Sequence, residues 1–292
     1  MFLGISLVLL SSLLWSGSFI LRKRGLEQVD YKVFIVIRLS VGLIVTGVLL
    51  WTIDSGFTNM TVSKAIPFII TGIVGNIFAL LANTMAIHEI GASRTHALTS
   101  ASPLVTAFLG AAFLGENLTL FLFLGLIIIV VGGGTLSYRI HSNQSLQNIE
   151  RPIFGFGLAL YSTIAIGSFT VLQKYGLNLG ATPIQGLFIR FLTAAVLYGM
   201  YILVTRPEID LKQISRSPDY LLASILMTAA ALMILIALAD LPATLVAGLK
   251  RTAPLFTVIL SVFWLKGIEK VDWKTFAIAA SIVAGAILVI VG

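Results

Sequence analysis

The chain has 292 residues, of which 58% are hydrophobic and only 11% charged, and its mean hydropathy is +1.03. Soluble domains carry about 25% charged residues, so a water-soluble fold is excluded, and long unbroken apolar runs exclude the alternating strands of a membrane β-barrel; what remains is an all-α integral membrane protein. The absence of cysteine excludes disulfides and thiolate metal sites, and the net charge of +7 is not gathered on a soluble face as a nucleic-acid binder would require, so it is read as a topology signal.

The first span is placed at residues 3–22, on an apolar run from Met1 to Leu21. No basic region precedes it and Arg22, Lys23 and Arg24 follow it, which reads as a retained anchor and not a cleaved signal peptide. The runs after it give about ten transmembrane helices in all, the others at 32–53, 65–87, 92–114, 118–138, 153–173, 183–205, 220–239, 242–265 and 273–292. Each is near the roughly 20 residues a bilayer demands. Polar residues and turn formers collect in the joints between them.

Several polar residues fall inside these spans. Trp15 in the first and Tyr161 in the sixth are candidate cavity aromatics, with plain core packing as the alternative. Arg38 lies in the second span and Arg190 in the seventh, each about 10 Å deep by helix rise. They cap carbonyls of neighbouring helices, snorkel outward or shape a site. Asn76 and Asn83, seven apart, share one face of the third span, where they line a cavity or hydrogen-bond between helices. Glu89 and Asp240 sit at helix ends; with His96 they are the proton-coupling candidates, since histidine titrates near neutral pH. His96 and Arg94 open the fourth span. Gly132, Gly133 and Gly134 read as close helix packing.

Lys250 and Arg251 interrupt the ninth span about 15 Å deep, near the midplane. A charge there costs at least about 2.5–3.5 kcal/mol, so it needs a wet cavity, a counter-charge or a route out. Pro254 removes the helical bond to the carbonyl of Lys250, and Pro103 does the same to Thr99. Such loosened backbone is tolerated only where it is buried in protein or lines a cavity, which makes the two prolines candidate hinges. The functional reading of the cations is an anion site, Arg offering a planar fork and Lys a point charge. The alternative is a buried pair satisfied by carboxylates, of which the spans hold few.

The two halves of the chain resemble each other. "GSFILRKRGL" at 17–26 matches "GSFTVLQKYGL" at 167–177, and "SPLVTAFLGAAF" at 102–113 matches "APLFTVILSVFW" at 253–264. Arg38 matches Arg190, and Glu116 precedes Gly132 by the same 16 residues that separate Glu269 from Gly285. The matches keep their order at offsets of 150 to 153. This predicts a five-helix repeat at 1–138, a joint at 139–152 and a second repeat at 153–292. With an odd number of spans per half, the second repeat enters inverted, a layout of alternating-access carriers.

Ten spans in a 5+5 repeat, each half with a "P-L-x-T" helix, an acid and a Gly-bearing last helix, resemble the EamA-type transporters of the drug/metabolite transporter superfamily. "FLGENLT" is close to that family's "GE" signature, whereas "WLKGIEKV" in the second half has Gly267 where the acid is expected and Glu269 two residues late. The resemblance implies ten helices around a central cavity, and transport of small metabolites such as amino acids, nucleotide sugars, sugar phosphates, polyamines or drugs. The Lys-Arg pair also resembles the plastid sugar-phosphate translocators, distant relatives. Leaving aside Arg38, Arg94, Arg190, Lys250 and Arg251, twelve cations in the joints and at the span ends lie on one side, against Lys64 and Lys174 on the other, which by the positive-inside rule puts both termini outside the cytoplasm; the resemblance implies termini inside.

The expectation is a secondary transporter or exchanger of a small anionic or zwitterionic metabolite in the cell membrane, with an organellar membrane as the alternative location. Its partners are that substrate, a coupling or exchanged ion and the lipid bilayer. No enzyme or cofactor motif is found. An exporter of neutral amino acids or amphiphilic cations, and an intramembrane enzyme acting on lipid head groups, are the other readings.

Overall fold

A computed structural model describes residues 1–26, 31–54, 56–141, 152–206, 218–264 and 273–292. Among the described residues every regular element is helical. Helices are what the sequence demands: in hydrocarbon each backbone polar group has to be satisfied within its own segment.

The first half comprises α1 (Phe2–Leu26), α2 (Tyr31–Thr52), α3 (Val62–Ile73), a π-helical turn (Val74–Phe78), α4 (Ala79–Ile90), α5 (Ala92–Thr99), α6 (Ser102–Leu114) and α7 (Leu120–His141). The second comprises α8 (Pro152–Asn178), α9 (Pro183–Thr205), α10 (Pro218–Asp240), α11 (Ala243–Lys250), α12 (Ala253–Trp264) and α13 (Trp273–Val291). Six segments are long and apolar enough to cross a bilayer: Phe2–Arg22, Lys32–Thr52, Arg94–Leu114, Ile153–Asn178, Pro183–Thr205 and Pro218–Asp240. Val62–Ile73, Leu120–Leu136 and Ala277–Val291 are shorter apolar helices. The roughly ten transmembrane helices expected are therefore met in part, by six segments of bilayer length. The third is divided by the π turn, and the fourth and ninth are each two helices meeting ahead of a proline.

The helices are apolar nearly all round, and size sorts their residues. Large side chains such as Ile44, Phe108, Phe113, Leu203 and Val204 face outward, while the interior is rich in Ala, Gly, Ser and Thr. Small residues let backbones approach where lipid is as apolar as leucine. Phe68, fully buried, lies where Gly176 of α8 and Gly186 of α9 leave room; a Cβ at either would fall 2.5 or 2.3 Å from its ring.

The packing is reciprocal between halves. α1 packs along α10 and α12, and its sequence counterpart α8 packs along α4 and α6. α2 lies against α10 as α9 lies against α3, and α2 meets α9 and α7 meets α13 directly. Exchanging each element for its counterpart leaves these neighbours unchanged.

Helix ends are fastened by side chains. Lys174, expected in a joint, belongs to α8: its Nζ donates to the carbonyls of Leu238 and Ala239, 2.8 and 3.0 Å away, holding the last turn of α10 and carrying α8 on to Asn178. Thr182 caps α9 in a capping box with Gln185, donates to Asp54 Oδ2, and is followed by Pro183 at the first helical position. Gln185 Nε2 also donates to the Gly56 carbonyl, tying α9 to the segment after α2. Thr182→Ala is expected to destabilise the protein by about 1 kcal/mol, read as a lower thermal-unfolding midpoint in detergent; an unchanged midpoint would refute this role.

Candidate functional site

The α5–α6 and α11–α12 breaks are built alike. Around Pro103, Ala101 N–H bonds to Leu98 O and Leu104 N–H to Ala101 O, both at 3.0 Å; around Pro254, Thr252 N–H bonds to Leu249 O and Leu255 N–H to Thr252 O, again at 3.0 Å. The proline ring cannot donate to the fourth carbonyl back, so the backbone tightens to three-residue bonds there. Hydroxyls occupy neighbouring carbonyls: Ser100 Oγ and Thr99 Oγ1 donate to His96 O at 2.7 and 3.2 Å, and Thr252 Oγ1 donates to Leu249 O at 2.8 Å.

The two breaks meet inside the bundle. Arg251, in the second, donates through Nη2 to Ser102 Oγ, in the first. Gly133 of α7 lies beside both, with room for a Cβ 3.9 Å from Ser100 Oγ and 4.0 Å from the Arg251 carbonyl. Ser16 of α1 donates to the Ala253 carbonyl at 2.7 Å, and Thr106 of α6 donates to the Gly167 carbonyl of α8 at 3.0 Å.

Around this junction runs a chain of cations. Arg38 interacts electrostatically with Arg22, Arg190 with Arg38, and Lys250 with both Arg251 and Arg190. None of the five has a carboxylate partner among the described residues, and Lys250 makes no hydrogen bond to any of them. The Nε atoms of Arg22, Arg38 and Arg190 are buried and unpartnered, as is Nε2 of Gln173. Two members lean on aromatic faces instead: Arg22 Cζ is 5.7 and 5.8 Å from the ring centroids of Phe19 and Phe34, and Arg190 Cζ is 5.3 Å from those of Phe169 and Phe191. Arg22 was expected in the joint after the first span; it lies within α1 and joins the interior cations. Its place before "KRG" disguised it as a flanking charge.

The other sequence candidates are dispersed. Asn83 Nδ2 donates to Ser162 Oγ at 3.4 Å, and Ser162 donates on to the Ala79 carbonyl at 3.3 Å, across the α4–α8 contact. The side chain of Asn76 lies outside the described residues. Trp15 and Tyr161 are 37% and 46% exposed, so both reach the molecular surface. Arg94 Nη1 donates to the Ile90 carbonyl at 3.2 Å, closing the end of α4. Glu89 is half-buried, with its Cβ against Gly155 of α8; Asp240 ends α10 and is exposed. His96 is half-buried, and its carbonyl takes the three bonds of the first break from Ser100 N–H, Ser100 Oγ and Thr99 Oγ1.

Glu116 has a task that sequence reasoning left unassigned. Gly115 ends α6 at φ +68°, a left-handed turn open to glycine, and Glu116 N–H closes it on the Gly110 carbonyl at 3.2 Å. The turn sends the Glu116 carboxylate to the start of α11. There Oε1 accepts from Ala243 N–H, and Oε2 accepts from Thr244 N–H at 3.0 Å and Thr244 Oγ1 at 2.6 Å. A carboxylate from the first half thus caps the short helix that carries Lys250, where the helix dipole favours negative charge. Glycine for the turn and glutamate for the cap give "GE" a physical meaning. Glu269, the late acid of the second half, lies outside the described residues.

Comparison with known proteins agrees with this layout. No curated protein matches the chain. A solved structure described as "Crystal structure of protein" superimposes with a TM-score of 0.80 at 16% identity, over 98% of this chain and 94% of that one; at such identity the likeness shows the fold alone. The sequence profile of the EamA-like transporter family matches twice, at residues 2–137 and again at 153–291. Two family repeats fill a chain whose described residues form helices alone, several of them apolar and of bilayer length, and the protein is a multi-pass membrane protein that belongs to the EamA-like transporter family.

Proposed function

We propose that the protein is a secondary carrier of a small anionic or zwitterionic metabolite, working by alternating access between two inverted five-helix repeats that cross the membrane ten times. The observation that carries this reading is the chain of interior cations beside two broken helices, with no carboxylate partner among the described residues. An isolated buried charge is costly, and the partner it lacks in the protein is supplied by a cargo of opposite sign. The reciprocal neighbours of the two halves support the inverted arrangement, and broken helices at mid-depth are where carriers of this layout hold substrate.

Lys250 is the leading contact, because its ammonium has no hydrogen bond among the described residues, whereas Arg251 is engaged by Ser102. Arg38 and Arg190 shape the site from α2 and α9. Thermal unfolding of the purified protein with a panel of carboxylates, phosphates, neutral amino acids and organic cations tests this. An anion at 100 times its Kd is expected to stabilise the wild type by about 2.7 kcal/mol, and Lys250→Ala to lose most of that gain. If neutral or cationic compounds alone raise the midpoint, equally in both proteins, the anion reading fails.

A further inference from the structure

The interior cations are not held alike. Arg251 is tied to a serine hydroxyl, and Lys250 to nothing among the described residues. Arg190, only 5% exposed, lies over the faces of Phe169 and Phe191 and makes no hydrogen bond among the described residues. A guanidinium carries five N–H donors. One positioned by aromatic faces keeps those donors unspent, and such a contact orients the group without neutralising it.

The rings are themselves bedded in. A Cβ on Gly75, within the π turn, would fall 2.4 Å from the Phe169 ring, and one on Gly42 of α2 would fall 2.5 Å from the Phe191 ring. A π turn inside a helix often marks a functional position, and here it brings a glycine backbone against the ring beneath Arg190. The repeat does not reproduce this. Phe19, the counterpart of Phe169, carries Arg22 and not Arg38, and the second-half partner of Gly75 falls in α10, a regular helix. Scaffolding common to both halves would appear twice; this clamp appears once.

We propose that Arg190 is a cargo-binding residue that offers its unspent donors to an oxyanion, carboxylate or phosphate, shared with Lys250, and that Phe169, seated on Gly75, is the positioning residue that holds it there. The inference rests on the anion-carrier reading and adds which cations grip the anion and what aims them.

The test titrates the purified full chain with succinate and, separately, inorganic phosphate, and records the ligand-free unfolding midpoint alongside Kd. Whichever oxyanion binds the wild type names the source. Arg190→Lys, which keeps the charge and loses the fork, is expected to weaken it at least about 10-fold. Phe169→Leu is expected to weaken it about 3- to 10-fold, the range of one cation–π contact, and Phe169→Tyr to restore wild-type affinity within about 2-fold by returning the π face. A purely structural clamp would lower the midpoint in Phe169→Leu and leave Kd unmoved; that result overturns the assignment. Unchanged affinity in Arg190→Lys and Phe169→Leu, with loss in Lys250→Ala, removes Arg190 from the site and leaves the anion reading standing. If neither oxyanion binds the wild type, the anion reading falls and takes this inference with it.

Discussion

Glu116→Ala is expected to lower the unfolding free energy by about 1–3 kcal/mol, the cost of leaving formerly capped donors without partners. Its carboxylate takes the first two amides of α11 and the Thr244 hydroxyl, so alanine strands the N–H groups of Ala243 and Thr244, two buried residues. The drop is read as a thermal-unfolding midpoint about 2–4 °C lower per kcal/mol in detergent. Glu116→Gln keeps an acceptor and loses the charge, so it should fall between wild type and alanine. Gly110 gives a second route to the same end: its Cβ would sit 2.8 Å from Glu116 Oε2, so Gly110→Ala pushes the carboxylate off its donors. Because α11 ends at Lys250, both variants should also weaken anion binding relative to wild type. A Glu116→Ala protein that unfolds at the wild-type temperature would dismiss the cap.

What the sequence discloses here follows from where the physics is local. Long apolar runs fix helices because the bilayer leaves the backbone no other option. Pro103 and Pro254 mark both breaks within a residue or two, since a missing N–H acts at a known distance along the chain. Lys250 and Arg251 are conspicuous against Leu and Val. What stays hidden depends on contacts across the fold. Arg22 reads as a flanking charge until Phe34 of the next helix is seen beneath it. Lys174 reads as a loop residue until its reach to the carbonyls at the end of α10 is known. The π turn has no sequence signature, since "VGNIF" would sit equally well in an α-helix. Hydropathy counts apolar length, which predicts about ten spans, and does not see where a helix is interrupted.

Gly125→Ala, on the seam between α7 and α13, is expected to be among the most damaging single-atom additions in the chain, at about 3 kcal/mol, the upper end of the overpacking range. Its Cβ would fall 2.7 Å from the Gly285 carbonyl and 2.8 Å from the Val289 amide, both backbone, so relief requires the two helices to part. The contact is reciprocal, because a Cβ on Gly285 would meet the Gly125 carbonyl at 2.9 Å. The seam continues to Gly132, whose Cβ would fall 2.7 Å from Ile282, as that of Gly285 would fall 2.9 Å from Ile129. This pair of glycine–isoleucine contacts carries the repeat offset of 153 and lies where the halves meet counterpart to counterpart. The three consecutive glycines therefore make an internal control that hydropathy cannot supply. Gly132→Ala should destabilise the protein, whereas Gly133→Ala and Gly134→Ala, with nearest neighbours at 3.9 and 3.6 Å, should be neutral or stabilising by up to about 1 kcal/mol as the helix loses a flexible residue. Thermal midpoints of the four alanine variants settle it. If Gly125→Ala matches wild type, or if Gly133→Ala is as damaging as Gly132→Ala, the α7–α13 seam is not what holds the two halves together.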